Sequence, residues 1–427
     1  MERYGIVILL LALSVGFSAV APRVRLPYPV FLLLAGVGLG FIPEYHDFSI
    51  PPDVVFLIFL PAMLYHAAAD TSIKDFRANF NVITLLAIAL VFLTVIAIAV
   101  IAHSLVPGID WPLAFLLGGI LAPPDAIAAL GVTRGLGLPH QTANILESEG
   151  LVNDASALVA CRFAQAAVMG GAFVLWRAGL EFIYIMAVGC LVGFLLGYLF
   201  RFMARRFPMN NASMVSFNVL LPFVAYWLAD VAHASGVLAV VVMGLMMAHD
   251  KDKLLSREAA IQADAVWNAI STLLGALVFV LLGIKLPAVI SNMDNSLIPW
   301  MLLCAFAIFI VAWIIRTAIL GFYKIRLDNA LFMMRYMPGR LSRRAKARAH
   351  NLRPMRWREV IVIGWAGMRG IISLAIALAI PEKLPSGAPF PGRDMIIFLT
   401  VTTVIIMLVV QGVGLGPLLK WVKLNDE

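Results

Sequence analysis

Apolar runs of roughly 20 residues repeat along the whole chain, separated by short polar or proline-containing breaks. At 1.5 Å rise per residue, each run predicts a helix long enough to cross a bilayer. Thirteen spans are expected, at 4–21, 26–41, 52–69, 80–104, 112–133, 142–170, 181–203, 213–232, 235–249, 264–285, 297–323, 359–381 and 394–419. The polar stretches between them are too short for a soluble domain. The expectation is an all-α polytopic membrane protein with one transport domain over 1–427. Two spans are interrupted. The fifth carries Gly118, Gly119, Pro123 and Pro124 before Asp125, and the twelfth carries Gly364, Gly367 and Gly370 around Arg369. Broken helices survive at membrane depth only where protein buries them or they line a cavity. They are also the best pointer in a sequence to a transporter's site. The fifth and twelfth spans are seven apart, so they enter the membrane in opposite directions. That predicts an inverted repeat of approximate halves 1–176 and 207–422, joined by a linker helix, with the two broken helices crossing.

Composition agrees: 62% of residues are hydrophobic and 13% charged, and the mean hydropathy is +0.95, outside the range of soluble domains. With residues at span edges counted in the adjoining loop, 24 of the 32 Lys and Arg lie in the C-terminal tail and in the loops after odd-numbered spans. The N-terminus and the alternate loops hold five, and Arg162, Arg316 and Arg369 lie within spans. The positive-inside rule then puts the N-terminus outside and the C-terminus in the cytoplasm of a plasma (inner) membrane. The net charge of +8 follows from cytoplasmic loops, above all the basic loop 324–358, and calls for no nucleic acid. Arg23 and Arg25 follow the first span while Glu2 and Arg3 offset each other, which marks a retained span rather than a signal peptide. The three cysteines have neither metal-site nor disulfide spacing. No nucleotide-binding loop, zinc motif or nucleophile elbow occurs, so no enzyme is expected and no cofactor is called for.

The chemistry concentrates in two stretches. Asp125, in ILAPPDAIAAL, and Asp154, in LESEGLVNDASALV, lie inside apolar spans. A carboxylate at the bilayer centre costs about 2.5–3.5 kcal/mol on insertion scales, so one that persists marks an ion or proton site. Asn153 adds an amide oxygen beside Asp154, and Glu149 a further acid five residues before it. Carboxylate, amide and unwound carbonyl oxygens are what a hard monovalent cation requires. Asp125 has a second reading, as a cap for the half-helix after Pro124. Glu149 reads either as a cation ligand or as an ion-pair partner. The partner of Arg162 is open.

ESEGLVNDA, preceded by APPDAIAAL and followed by GMRGIISLAIAL, resembles the sodium/proton exchangers of the monovalent cation:proton antiporter-1 family, of the bacterial type. SGVLAVVVMGLMMAH at 235–249 is similar to another stretch these exchangers share. The resemblance implies secondary antiport of Na+ for H+ by alternating access, with Asp154 as the shared cation and proton carboxylate and Asn153 as its polar neighbour. It implies that Asp125 sits at the crossing, that Glu149 and Arg369 form a buried ion pair, and that the protein is a homodimer. Two departures bear on coordination: Pro124-Asp125-Ala126 stands where many members have Thr-Asp-Pro, and Gly150 where many have Ser after the Glu. A K+/H+ antiporter would use the same residues, Li+ is also compatible, and a sodium-coupled organic-solute carrier could share the architecture. One exchanging carboxylate predicts electroneutral 1:1 exchange.

Overall fold

The computed structural model describes residues 2–20, 28–42, 55–72, 79–125, 129, 138, 140–170, 175–207, 209–291, 293–336, 354–384 and 386–422. Their regular structure is helical, with one isolated bridge between Lys383 and Pro389. In chain order the helices are α1 (Glu2–Val20), α2 (Tyr28–Gly40), α3 (Leu60–Asp70, entered by a π-turn Val55–Phe59), α4 (Phe80–Leu105), α5 (Trp111–Leu121), α6 (His140–Val168) and α7 (Leu175–Arg206). They continue as α8 (Asn211–Val231), α9 (Gly236–Leu254), α10 (Arg257–Ser291), α11 (Ile298–Tyr336), α12 (Trp357–Trp365), α13 (Ile371–Leu378) and α14 (Arg393–Val422).

Each described helix falls on an expected span, and α12 with α13 makes up the twelfth. The fifth span stops being helical after Leu121, where Pro123 and Pro124 remove two backbone donors. Most of its second half lies outside the described residues. Several helices outrun the apolar pattern, α10 and α11 most. α10 begins at Arg257 rather than near 264, and α11 continues to Tyr336 rather than 323, so the start of the expected loop 324–358 is helical. Polar residues with good helix propensity sustain that extension, and Lys324 pairs with Asp328 one turn on. Residues 337–353, with most of the loop's basic charge, lie outside the described residues.

The helices pack as two bundles. One contains α4, α5, α6 and α11–α14; the other contains α1–α3 and α7–α10. Glycine contacts knit each bundle internally. In the second bundle, a Cβ at Gly36 of α2 would overlap the Val280 carbonyl of α10, and one at Gly283 of α10 would overlap the Leu33 carbonyl of α2. Small residues of this kind let backbones approach closely where lipid supplies no hydrophobic driving force between helices. Across the bundle boundary, a Cβ on Gly275 of α10 would stand at ordinary van der Waals distance, 3.4 Å, from Ile371 Cδ1 of α13.

Candidate functional site

The break after α5 and the break between α12 and α13 meet inside the first bundle. A helix end leaves carbonyls or amides without intrahelical partners, and buried ones must be satisfied. At the end of α5, Arg369 supplies the donors: Nε to the Leu121 carbonyl at 2.8 Å and Nη2 to the Ala122 carbonyl at 3.2 Å. Its Nη1 donates to the Gly367 carbonyl at 2.5 Å. At the start of α13, Asp125 accepts the Ile371 amide on Oδ2 at 2.9 Å, while its own amide donates to the Met368 carbonyl at 2.7 Å. Each break therefore carries the charge that suits the other's helix end, an arginine at a C-terminus and a carboxylate at an N-terminus. Most of the half-helix expected after Pro124 lies outside the described residues, and Asp125 caps the one on the crossing chain. Gly370 makes this possible, because a Cβ there would overlap Asp125 Oδ2.

Glu149 departs from expectation. It is buried, and its carboxylate is held by Arg316 of α11 through two bonds, Nη1–Oε1 at 2.5 Å and Nη2–Oε2 at 2.7 Å. The expected Glu149–Arg369 ion pair is replaced by this one. The guanidinium of Arg369 is committed to the carbonyls of both breaks, whereas that of Arg316 meets the carboxylate in the forked, two-bond geometry that suits the pair. Arg316 also donates Nε to the Ile363 carbonyl in the last turn of α12, at 2.9 Å. It reaches there by running past Gly367, where a Cβ would lie 2.5 Å from its Cδ. Sequence reasoning placed Arg316 within a span but gave it no role; an arginine in the run AWIIRTAILG was the available signal.

Asp154 and Asn153 sit at mid-length of α6. Asn153 Nδ2 donates to the Pro124 carbonyl at 3.0 Å, tying α6 to the unwound segment, and its Oδ1 is buried with no partner among the described residues. Asp154 is only 4% exposed. Among the described residues it makes no hydrogen bond or ion pair, and Asp125 and Glu149 are the acids whose charge reaches it. The structure therefore brings all five expected residues to one region, with Arg316 as a sixth. It leaves a lone carboxylate and an unsatisfied amide oxygen at consecutive positions of α6. Among the described residues, no group of three His, Cys, Asp or Glu is arranged to hold a metal ion. Carboxylate and amide oxygens are donors of the kind a hard monovalent cation takes, and a carboxylate can also hold a proton.

Comparison with known proteins points the same way. Residues 7–421 match the family described as sodium/hydrogen exchanger, transmembrane. An uncharacterised Na+/H+ exchanger of Mycobacterium tuberculosis is 32% identical over 99% of this chain and 75% of its own length. A sodium, potassium, lithium and rubidium/H+ antiporter of Bacillus pumilus is 32% identical over 98% of this chain and 62% of its own. Among solved structures, the sodium proton antiporter MjNhaP1 from Methanocaldococcus jannaschii at pH 8 superposes with a TM-score of 0.72 over 100% of both chains, at 19% identity, so the fold is shared.

Proposed function

The chain belongs to the transmembrane sodium/hydrogen exchanger family and is a multi-pass cation/proton antiporter rather than an enzyme, and we propose that it exchanges one Na+ for one H+ through the carboxylate of Asp154. The observation that carries this reading is the isolation of that carboxylate. Three acids and two arginines are buried at and beside the crossing. Glu149 is neutralised by Arg316, and Asp125 is engaged with the α13 amide end. Asp154 is left to take up a single positive charge. A proton or a sodium ion can supply it, and loading one displaces the other. Asn153 Oδ1 is the second donor for the cation.

Transport then follows alternating access, the α4–α6 and α11–α14 bundle moving against the α1–α3 and α7–α10 bundle, with loaded Asp154 crossing as a neutral unit. The grouping of the helix contacts into these two bundles supports this division. The basic loops support an N-terminus outside and a C-terminus in the cytoplasm of a plasma membrane, and the family resemblance supports an inverted repeat and a homodimer. Sodium is the preferred ion because a compact carboxylate and amide pair suits a small, hard cation. Exchange of K+ is the second reading, favoured by the broad ion range in the name of the Bacillus pumilus relative. The test is purified protein in liposomes with an internal pH dye, challenged in turn with sodium, lithium and potassium. The strongest cation-driven proton movement is expected with sodium. A response led by potassium would transfer the assignment to the second reading, and no response to any of the three would end the antiport reading.

A further inference from the structure

Arg162 lies on α6 eight residues beyond Asp154, about 12 Å along the helix axis at 1.5 Å per residue. It does not join the charges at the crossing. Its Nη2 reaches Asp230 Oδ1 of α8 at 3.4 Å, so the helix that carries the exchanging carboxylate is bridged to the opposite bundle by an ion pair. Asp230 stands in the last turn of its helix, where an acid opposes the helix dipole and needs another reason to be there. Its platform is firmly held. The turn after α8 places His233 at φ +53°, a conformation few non-glycine residues adopt. The His233 amide donates to the Asp230 carbonyl at 2.8 Å and the Ala234 amide to the Ala229 carbonyl at 2.8 Å. Two bonds fix this turn to α7: Tyr184 Oη to the Ala232 carbonyl at 3.0 Å and the Ser235 amide to the Ile185 carbonyl at 3.2 Å.

We propose that Arg162 and Asp230 are positioning residues for exchange: their ion pair ties the Asp154-bearing helix to the α7–α8 platform and favours the access state in which this end of the molecule is closed. The proposal rests on the alternating-access reading above. The loop charges place this end outside, so the favoured state faces the cytoplasm. Both side chains are substantially exposed, 44% and 59%, so the pair biases the equilibrium without locking it. Exposed pairs of this kind shift an equilibrium by about two- to fivefold. Apparent affinity scales with the population of the binding-competent state. Removing the pair must therefore move the sodium KM measured at the two faces in opposite directions, which a general loss of stability would not do.

The experiment compares sodium-dependent proton movement in inside-out and right-side-out membrane vesicles carrying wild type, Arg162→Gln, Asp230→Asn, or the charge swap Arg162→Asp with Asp230→Arg. The single neutralisations are expected to raise the sodium KM about two- to fivefold at the cytoplasmic face and to lower it by a similar factor at the outer face. The swap should move both values back toward wild type. Reciprocal shifts of the opposite sense keep the latch and reverse the topology. Unchanged values, or parallel shifts at both faces, overturn the proposal. No sodium-dependent proton movement by wild type would instead overturn the antiport reading. A second arm replaces Cys161, Cys190 and Cys304 by Ala and introduces Arg162→Cys with Asp230→Cys. A thiol-to-thiol cross-linker should arrest exchange, and a reducible linker should release it on reduction. Full-rate exchange by cross-linked protein also overturns the proposal.

Discussion

Asp154 and Glu149 are five residues apart on one helix, yet their surroundings divide the labour between them. Glu149 is held by both arms of a guanidinium and has no free capacity for a second charge, while Asp154 has no partner among the described residues. Asp154→Asn should therefore abolish cation-driven proton movement while leaving a folded membrane protein, because the amide keeps the shape and cannot exchange a proton for an ion. Asp125→Asn should retain weak activity, since an amide oxygen can still accept the Ile371 amide. Liposome flux with each purified variant checks both, and substantial flux by Asp154→Asn would move the carrier role elsewhere. Stranding one charge of a buried pair costs about 3–5 kcal/mol. Glu149→Ala and Arg316→Ala should each lower the thermal midpoint in detergent, and the double variant should lose clearly less than the sum. Additive losses would break the assignment. The acids of this site were legible in the sequence because membrane burial makes an unpaired carboxylate conspicuous. The choice of partner for Glu149 was not. Arg316 and Arg369 are both buried arginines far away in the chain, and only the directions in which their helices enter decide which one reaches the carboxylate.

At the scale of elements, the two breaks are a single structure. Pro123 and Pro124 end α5, the Gly367–Gly370 segment separates α12 from α13, and each break satisfies the other's backbone. The proline and glycine clusters made both breaks readable, since little else puts such residues in the middle of an apolar run. Their interlocking was not readable, because it depends on side-chain reach across the crossing. Nor was the length of α11: beyond Tyr323 the residues turn polar, which ends an apolar pattern without ending a helix. The crossing leaves no room at Gly370. Gly370→Ala should push Asp125 off the Ile371 amide, costing about 1–3 kcal/mol in stability and most of the exchange rate. Gly275→Ala is the matched control, with a new methyl at ordinary contact distance from Ile371 and a helical position that favours alanine. Thermal melts and flux assays on the pair should separate them clearly. Equal tolerance of both would mean that the crossing is not held as tightly as its geometry requires.

For the whole molecule, the quantity that matters is the charge carried across the membrane in each half-cycle. Glu149 and Arg316 cancel, and Arg369 and Asp125 carry opposite charges and are each engaged with the backbone of the other's broken helix. The exchanging carboxylate of Asp154 then carries one negative charge when empty and none when loaded, whichever ion is bound. Return with a proton moves the same charge as passage with sodium, so a complete cycle moves none. Carrying an empty, charged site through the low-dielectric barrier is costly, which suppresses leakage and keeps the stoichiometry at one to one. A membrane voltage imposed with potassium and valinomycin should consequently drive neither sodium nor proton movement through reconstituted protein when both gradients are balanced. The measurement belongs after the cation series, because potassium exchange by the protein would supply a driving force of its own. Voltage-driven accumulation of sodium or protons would mean that a second group changes its load during the cycle. Asp125, the other acid at the crossing not paired with Arg316, would then be the group to suspect.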